Sequence, residues 1–167
     1  MDQNMNGSTL LSEKTKASID HWVAKFPQDK KRSALIQSLM AAQNQNGGWI
    51  SIELTEAVAR YLDLPPVWAH EIISFYSMFD DQPVGRHKVN ICTNISCWLR
   101  GAEGLVDHAE KKLGVTLGKT TQDGRITLIR EEECMAGCCG APMMIVDGHY
   151  HENLDVEKMD AILDALE

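Results

Sequence analysis

The sequence contains no long apolar run, since none of its segments approaches the roughly 18 consecutive apolar residues that a membrane-spanning helix requires. Its first residues, MDQNMNGSTLLSEKTK, have neither the apolar core of a secretory signal nor the arginine-rich, acid-poor composition of an organelle transit peptide. Hydrophobic residues make up 44% of the 167 positions and charged residues 24%, which is typical of a soluble globular protein. We therefore expect one ordinary domain or two small ones, in the cytoplasm or an equivalent compartment.

Basic residues are scarce relative to acidic ones. The 16 Lys and Arg residues are outnumbered by 24 Asp and Glu residues, so the formal net charge is −8. This balance argues against a nucleic-acid partner, because binding to a phosphate backbone requires clustered Lys and Arg. The short basic run at 30–32 lies at a predicted helix start and is interpreted as solvated surface.

Nucleotide-binding signatures are absent as well. No G-x-G-x-x-G motif follows a predicted strand, and no phosphate-binding loop of the Walker type occurs. We therefore expect that this chain by itself binds neither NADH nor a flavin.

Cysteine is rare, and its placement is uneven. All five cysteines lie in two short segments, CTNISC at 92–97 and ECMAGCCGAP at 133–142. A reducing compartment disfavours structural disulfides. Clustered cysteines in such a compartment indicate metal binding or redox chemistry instead.

The first half of the chain has the apolar spacing of four helices. Apolar residues recur at helical intervals in SEKTKASIDHWVAKF, KRSALIQSLMAAQNQNGG, SIELTEAVARYLDL and PPVWAHEIISFYSMF. Ser12 is a suitable N-cap for the first helix, and Pro66 suits the first turn of the fourth. We predict a flexible N-terminus at 1–10, a small helical bundle at 11–79 and a linker at 80–86, where turn residues replace the periodicity.

The second half, residues 87–167, alternates strand and helix patterns. HKVNIC has the alternation of a half-buried strand, 97–113 has helical spacing, and DGRITLI is typical of a second strand. MMIV and HYH flank Asp147-Gly148, a pair that favours a tight hairpin turn, and Asp155 is a suitable N-cap for a last helix. The predicted fold class is therefore α+β, with the helical bundle followed by a thioredoxin-like α/β domain containing a small mixed sheet.

Both cysteine segments follow predicted strands, so their loops can converge on one point of the sheet. Four thiolates there can hold either Zn²⁺ or an iron–sulfur cluster. Structural zinc sites commonly separate paired cysteines by two residues, whereas the gaps here are four residues in the first segment and three or four in the second. The wider gaps favour a [2Fe–2S] cluster, because they are close to plant-type ferredoxin spacing.

Other chemistries of the cysteines stay open at this point. Zinc and a thiol redox or structural role are alternatives to the cluster, and Rieske-like ligation by His87, His149 or His151 is a weaker one. Spacing alone does not decide between Cys138 and Cys139 as partner of Cys134.

The sequence resembles the 24-kDa-type subunit of respiratory NADH:quinone oxidoreductase, the bacterial E subunit of complex I. The resemblance covers nearly the whole chain and is carried by FYSMF, PVGRHKVNICTNISCWLRGAEGL, TTQDGRITLI and ECMAGCCGAPMM. It implies a helical bundle followed by a thioredoxin-like domain that carries one [2Fe–2S] cluster. Matched position by position, it implies Cys92, Cys97, Cys134 and Cys138 as the iron ligands, with Cys139 as the spare thiol.

The resemblance also implies partners and a location. An adjacent subunit binds NADH and FMN close to the cluster, and a large iron–sulfur subunit is a second partner. The expected function is electron transfer within an oxidoreductase complex, with no complete active site on this chain. The expected location is the cytoplasmic side of the bacterial inner membrane, where the chain is peripheral and held by the complex without inserting into the membrane.

Three alternative functions share these sequence features. Equivalent subunits also occur in NAD-dependent formate dehydrogenases and hydrogenases, and motifs do not distinguish this chain from those subunits. A free-standing thioredoxin-like ferredoxin is disfavoured by the helical residues 11–79, which a simple carrier does not need. A zinc-stabilised structural subunit is the alternative outside redox chemistry.

Overall fold

The computed structural model describes residues 10–131 and 134–167, so the predicted flexible segment 1–10 lies, apart from Leu10, outside the described residues. The chain divides into two units, Met1–Pro83 and Val84–Glu167. The division lies within 80–86, the segment predicted from the sequence to be a linker.

The first unit is helical, with α1 (Glu13–Val23), α2 (Leu35–Gln45), α3 (Ile52–Tyr61) and α4 (Pro66–Phe75), and a 3₁₀ segment at Gln28–Ala34. The Ser12 hydroxyl accepts a hydrogen bond from the Thr15 N–H, which confirms the predicted cap of α1. Pro66 occupies the first turn of α4, as predicted, where its missing N–H costs nothing.

The core of the first unit consists of the apolar side chains that recur at helical spacing. The fully buried members with the largest side chains are Ile19, Leu35, Leu39, Ile50 and Val58. Burial of such side chains contributes about 1.5–3 kcal/mol each, which offsets the entropy lost on ordering four short helices.

The second unit contains β1 (His87–Cys92), α5 (Ile95–Leu99), α6 (Ala102–Leu113), β2 (Lys119–Thr120), β3 (Ile126–Glu131), β4 (Met144–Val146), β5 (His149–His151) and α7 (Val156–Ala165). The described residues form one five-stranded sheet in the order β2-β3-β1-β4-β5. β1 and β3 are parallel, and the other pairs are antiparallel. The predicted small mixed sheet and the α+β fold class are confirmed.

The parallel pairing of β1 with β3 positions the two cysteine segments. Cys92, the last residue of β1, is paired in register with Glu131, the last residue of β3. Both strands therefore end at the same edge of the sheet, and the loop that follows each strand starts there. The core beneath includes Val89, Ile91, Ile126, Leu128 and Met159, all fully buried.

The tight hairpin and the last cap agree with the predictions from the sequence. Asp147 and Gly148 have φ angles of 50° and 84°, and two positive φ angles are what a type I′ turn requires. The Asp155 carboxylate accepts a hydrogen bond from the Lys158 N–H at 2.7 Å and so caps α7.

Two predicted elements differ from the structure. The continuous helix predicted over 97–113 is wrong, because the helix breaks between α5 and α6 at Gly101, whose φ of 89° lies in the left-handed region. Apolar spacing continues across the break, so periodicity does not detect it. The two-residue strand β2 was not predicted, because it is too short to show an alternating pattern.

None of the helices in the described parts of the chain combines the length and the apolar character needed to cross a membrane.

Candidate metal centre

The first cysteine pair is buried in a small apolar cluster at the edge of the sheet. Cys92 ends β1, and Cys97 lies in α5, five residues later. Each is only 2% exposed, and they pack with Ala102, Ala141 and Met143. The backbone N–H of Met143 hydrogen-bonds to the Cys97 sulfur, an interaction that stabilises a thiolate.

The second cysteine pair lies at the surface. Cys134 follows β3, and Cys138 begins a 3₁₀ turn that ends at Gly140. The sulfur atoms of Cys134 and Cys138 are 3.3 Å apart. The Ala136 N–H donates to the Cys134 sulfur at 3.4 Å.

The two pairs converge. The Cys97 thiol hydrogen-bonds with Cys92 and interacts electrostatically with Cys138. Cys138 interacts in turn with Cys134, with Cys92 and with the Ser96 side chain. Cys139 is exposed, and in the described part of the chain it takes no part in the sulfur contacts given above. None of the five cysteines is in a disulfide.

The pKa values of the thiols differ across the site. Burial raises the pKa of Cys97 to about 11, against the opposing hydrogen bond from the Met143 N–H. The hydrogen bond from the Ala136 N–H lowers the pKa of Cys134, and the bond with Cys138 adds to this. The hydrogen bond with Cys134 raises the pKa of Cys138. Binding of a metal to all four sulfurs therefore requires release of protons, above all from Cys97.

The loop that carries Cys138 packs closely on the segment between β5 and α7. The Asn153 N–H donates to the Gly140 carbonyl oxygen at 2.6 Å. A Cβ atom at Gly140 would lie 2.5 Å from the Glu152 side chain, so only glycine permits this approach. The Tyr150 hydroxyl donates to the Met135 carbonyl oxygen at 2.9 Å and holds the loop between the two surface cysteines.

The donor set fits a group that thiolates bind. Four sulfurs from two loops suit an iron–sulfur cluster or Zn²⁺, both of which prefer soft ligands. Within residues 10–131 and 134–167, no three His, Cys, Asp or Glu side chains are already arranged to hold a single metal ion. The convergence therefore rests on the contact between Cys134 and Cys138 and on the electrostatic interactions of Cys138 with Cys92 and Cys97, and both groups are compatible with it.

The histidines considered as Rieske-like ligands lie on strands of the sheet. His87 begins β1, at the opposite end from Cys92, and its ring nitrogens bond to Asp147 at 2.6 Å and to the Glu167 carbonyl oxygen at 2.9 Å. This position removes His87 as a ligand partner of the cysteines. His149 and His151 are the two ends of β5, which pairs with β4.

Two residues that hold the cysteine loops were not predicted from the sequence. These are Tyr150 and Arg100, whose guanidinium donates to the Ala141 carbonyl oxygen at 3.2 Å. Both contacts join residues far apart in the sequence, and neither follows from spacing within a segment.

Comparison with known protein families supports a cluster-binding chain. The family model described as thioredoxin-like [2Fe-2S] ferredoxin matches residues 19–167. The E subunit of NADH-quinone oxidoreductase from Rickettsia bellii is 40% identical over 86% of this chain and 86% of its own length. The E 2 subunit of the same enzyme from Rhizobium meliloti is 40% identical over 88% of this chain and 85% of its own. The mitochondrial NADH dehydrogenase [ubiquinone] flavoprotein 2 of Dictyostelium discoideum is 34% identical over 99% of this chain and 66% of its own.

Solved structures show the same fold. An NAD⁺-reducing [NiFe]-hydrogenase in its air-oxidized state matches with a TM-score of 0.63 and 22% identity, over 75% of this chain and 22% of that chain. Its H₂-reduced form gives a TM-score of 0.60. This chain therefore spans about a fifth of the hydrogenase chain that it matches. The family model and the relatives together show that the chain belongs to the thioredoxin-like [2Fe-2S] ferredoxin family.

Proposed function

We propose that this chain is the electron-transfer subunit of a respiratory NADH:quinone oxidoreductase and holds one [2Fe–2S] cluster through Cys92, Cys97, Cys134 and Cys138. The observation that carries the proposal is the convergence of these four thiols from two loops in a chain of this family. The relatives named as E subunits of NADH-quinone oxidoreductase support the choice of complex.

The chemistry proposed for the site is transfer of single electrons, which a [2Fe–2S] cluster with four cysteine ligands supplies when bound. The residues of this chain hold and shield that group. Cys92 and Cys97 are buried against Ala102 and Met143, which excludes water from one side. Cys134 and Cys138 lie at the surface, where a redox partner can approach.

The proposed partners are the subunit that binds NADH and FMN and the large iron–sulfur subunit of the same complex. Three large apolar side chains of the short helix beside the site support a protein partner: Ile95, Trp98 and Leu99 are 72%, 57% and 71% exposed. The proposed location follows from this assembly, on the cytoplasmic side of the bacterial inner membrane. We further propose that 11–79 and 87–167 act as separate domains joined by the linker 80–86.

A second candidate function is the equivalent subunit of an NAD-dependent hydrogenase or formate dehydrogenase. The likeness to the NAD⁺-reducing hydrogenase favours this candidate only at the level of the fold, at 22% identity. The respiratory complex is preferred, because its subunits match this chain at about 40% identity over most of both chains.

Purification of the native complex under anaerobic conditions tests the proposal. We expect this chain to copurify with an FMN-containing subunit. Within the complex, NADH should reduce a fraction of the clusters. The chain purified alone should keep its cluster oxidised in the presence of NADH and become reduced by dithionite. Copurification with hydrogenase or formate dehydrogenase subunits would establish the second candidate, and copurification with no redox protein would contradict both.

A further inference from the structure

Arg100 connects the two loops that carry the cysteines. Its backbone N–H donates to the Cys97 carbonyl oxygen at 3.1 Å. Its guanidinium Nη1 donates to the Ala141 carbonyl oxygen at 3.2 Å. The Ala141 N–H donates in turn to the Cys138 carbonyl oxygen at 3.3 Å. A path of three hydrogen bonds thus joins Cys97 to Cys138 through one side chain.

The acceptor of the guanidinium belongs to the buried cluster that contains the first cysteine pair. Ala141 is 1% exposed and packs in the same small cluster as Cys92 and Cys97. Arg100 is itself exposed, and its hydrogen bond to Ala141 is partly buried. Because a guanidinium stays protonated at any pH that a folded protein tolerates, this contact holds a permanent positive charge at the border of the buried cluster.

A fixed positive charge beside the site changes the electron affinity of a bound cluster in a known direction. Two ferric ions, two sulfides and four thiolates carry a total charge of about −2, and one added electron makes it about −3. A nearby cation stabilises the more negative state to a greater extent. It therefore makes reduction easier, whereas its removal makes reduction harder.

We propose that Arg100 is a positioning residue that fastens the loop of Cys138 to that of Cys97 and raises the reduction potential of the bound cluster. This inference rests on the proposed function, since it assumes a [2Fe–2S] cluster on the four cysteines. It assigns to Arg100 two separable contributions, a hydrogen bond between the loops and a charge.

Three variants of the full chain separate these contributions. Arg100→Gln removes the charge, and Arg100→Lys keeps the charge but loses the planar fork of donors. Arg86→Gln is the matched control, because Arg86 also donates to backbone carbonyl oxygens, those of Glu167 and Asp123. Arg86 directly precedes β1, whose six residues separate it from the site by roughly 20 Å at about 3.3 Å per residue.

The measurements are the midpoint potential of the cluster, followed by electron paramagnetic resonance during dithionite titration, and the rate at which a chelator removes iron. Arg100→Gln should shift the midpoint to more negative potential and lose iron several-fold faster than the wild type. Arg100→Lys should lose iron faster as well but keep a midpoint near that of the wild type. Arg86→Gln should match the wild type in both measurements.

The inference is overturned if Arg100→Gln keeps the wild-type midpoint, or if Arg86→Gln shifts it equally. If Arg100→Gln fails to retain iron, Arg100→Lys decides: a wild-type midpoint supports the role of the charge, and a midpoint shifted to more negative potential contradicts it. Failure of the proposed function gives a different result. The wild-type chain itself would then not contain the equal amounts of iron and acid-labile sulfide that a [2Fe–2S] cluster gives.

Discussion

Adjacent cysteines in this chain have different surroundings. Cys138 interacts with Cys134, Cys92 and Ser96, whereas its neighbour Cys139 is an exposed thiol outside the sulfur contacts described for the site. Because consecutive residues of a 3₁₀ turn point in different directions, one of the two faces the other cysteines and the other does not. The backbone of the turn therefore determines which of these two thiols lies near the other cysteines.

Single serine substitutions test this choice at the level of the residue. Cys92→Ser, Cys97→Ser, Cys134→Ser and Cys138→Ser should each reduce iron well below the value of about two per chain that a [2Fe–2S] cluster gives. Cys139→Ser is the matched control and should keep the iron content of the wild type. Iron and acid-labile sulfide analysis measures the effect. Loss of iron in Cys139→Ser together with retention in Cys138→Ser would reverse the assignment.

The pKa differences among the thiols predict an order of alkylation in the metal-free protein. Cys134 has a lowered pKa and is exposed, so it should react with iodoacetamide first near neutral pH. Burial raises the pKa of Cys97 to about 11, so its reaction should be slow and should accelerate about tenfold per pH unit between pH 8 and pH 10.

Peptide mass spectrometry at timed intervals measures these rates, and the chain unfolded in denaturant is the control in which the two rates become similar. Equal rates in the folded protein would contradict the difference in environment between the two thiols.

At the level of the elements, the break between α5 and α6 separates the helix of Cys97 from the long helix that covers the sheet. Gly101 makes the break with a φ of 89°, and a side chain there would meet no atom within 4 Å. The cost of any other residue at Gly101 is therefore conformational and not a steric clash with neighbours.

The Gly101→Ala substitution should lower the free energy of unfolding by about 1–2 kcal/mol, the cost of the left-handed conformation for a residue with a side chain. Gly104→Ala is the matched control, because Gly104 lies in α6 without a positive φ and with the same open space. It should raise the free energy of unfolding by about 0.5–1 kcal/mol, the helix propensity difference. Denaturant unfolding measures both, and a stabilising Gly101→Ala would show that α5 and α6 can form one continuous helix.

Most elements follow from local sequence, and the exceptions have a physical reason. The caps at Ser12 and Asp155 and the turn at Asp147-Gly148 depend on a few adjacent residues, so the sequence predicts them. The break at Gly101 was not predicted, because apolar periodicity continues through it.

On the scale of the whole molecule, the sequence indicates the chemistry of the site better than its geometry. Spacing and residue type are enough to suggest that two cysteine segments meet, because both follow strands of one sheet. The contacts that bring the segments together, from Arg100 to Ala141 and from Tyr150 to Met135, cross long stretches of sequence. No pattern within either segment encodes these contacts, so the structure is needed to find them.

Metal and sulfide analysis with electron paramagnetic resonance tests most directly whether one chain binds two irons and two sulfides through four cysteines. The full chain, purified anaerobically with iron supplied, should contain about two irons and two acid-labile sulfides, and dithionite should produce the signal of a reduced [2Fe–2S] cluster. A colourless protein with one zinc per chain and no such signal would contradict the presence of an iron–sulfur cluster and establish a structural metal site instead.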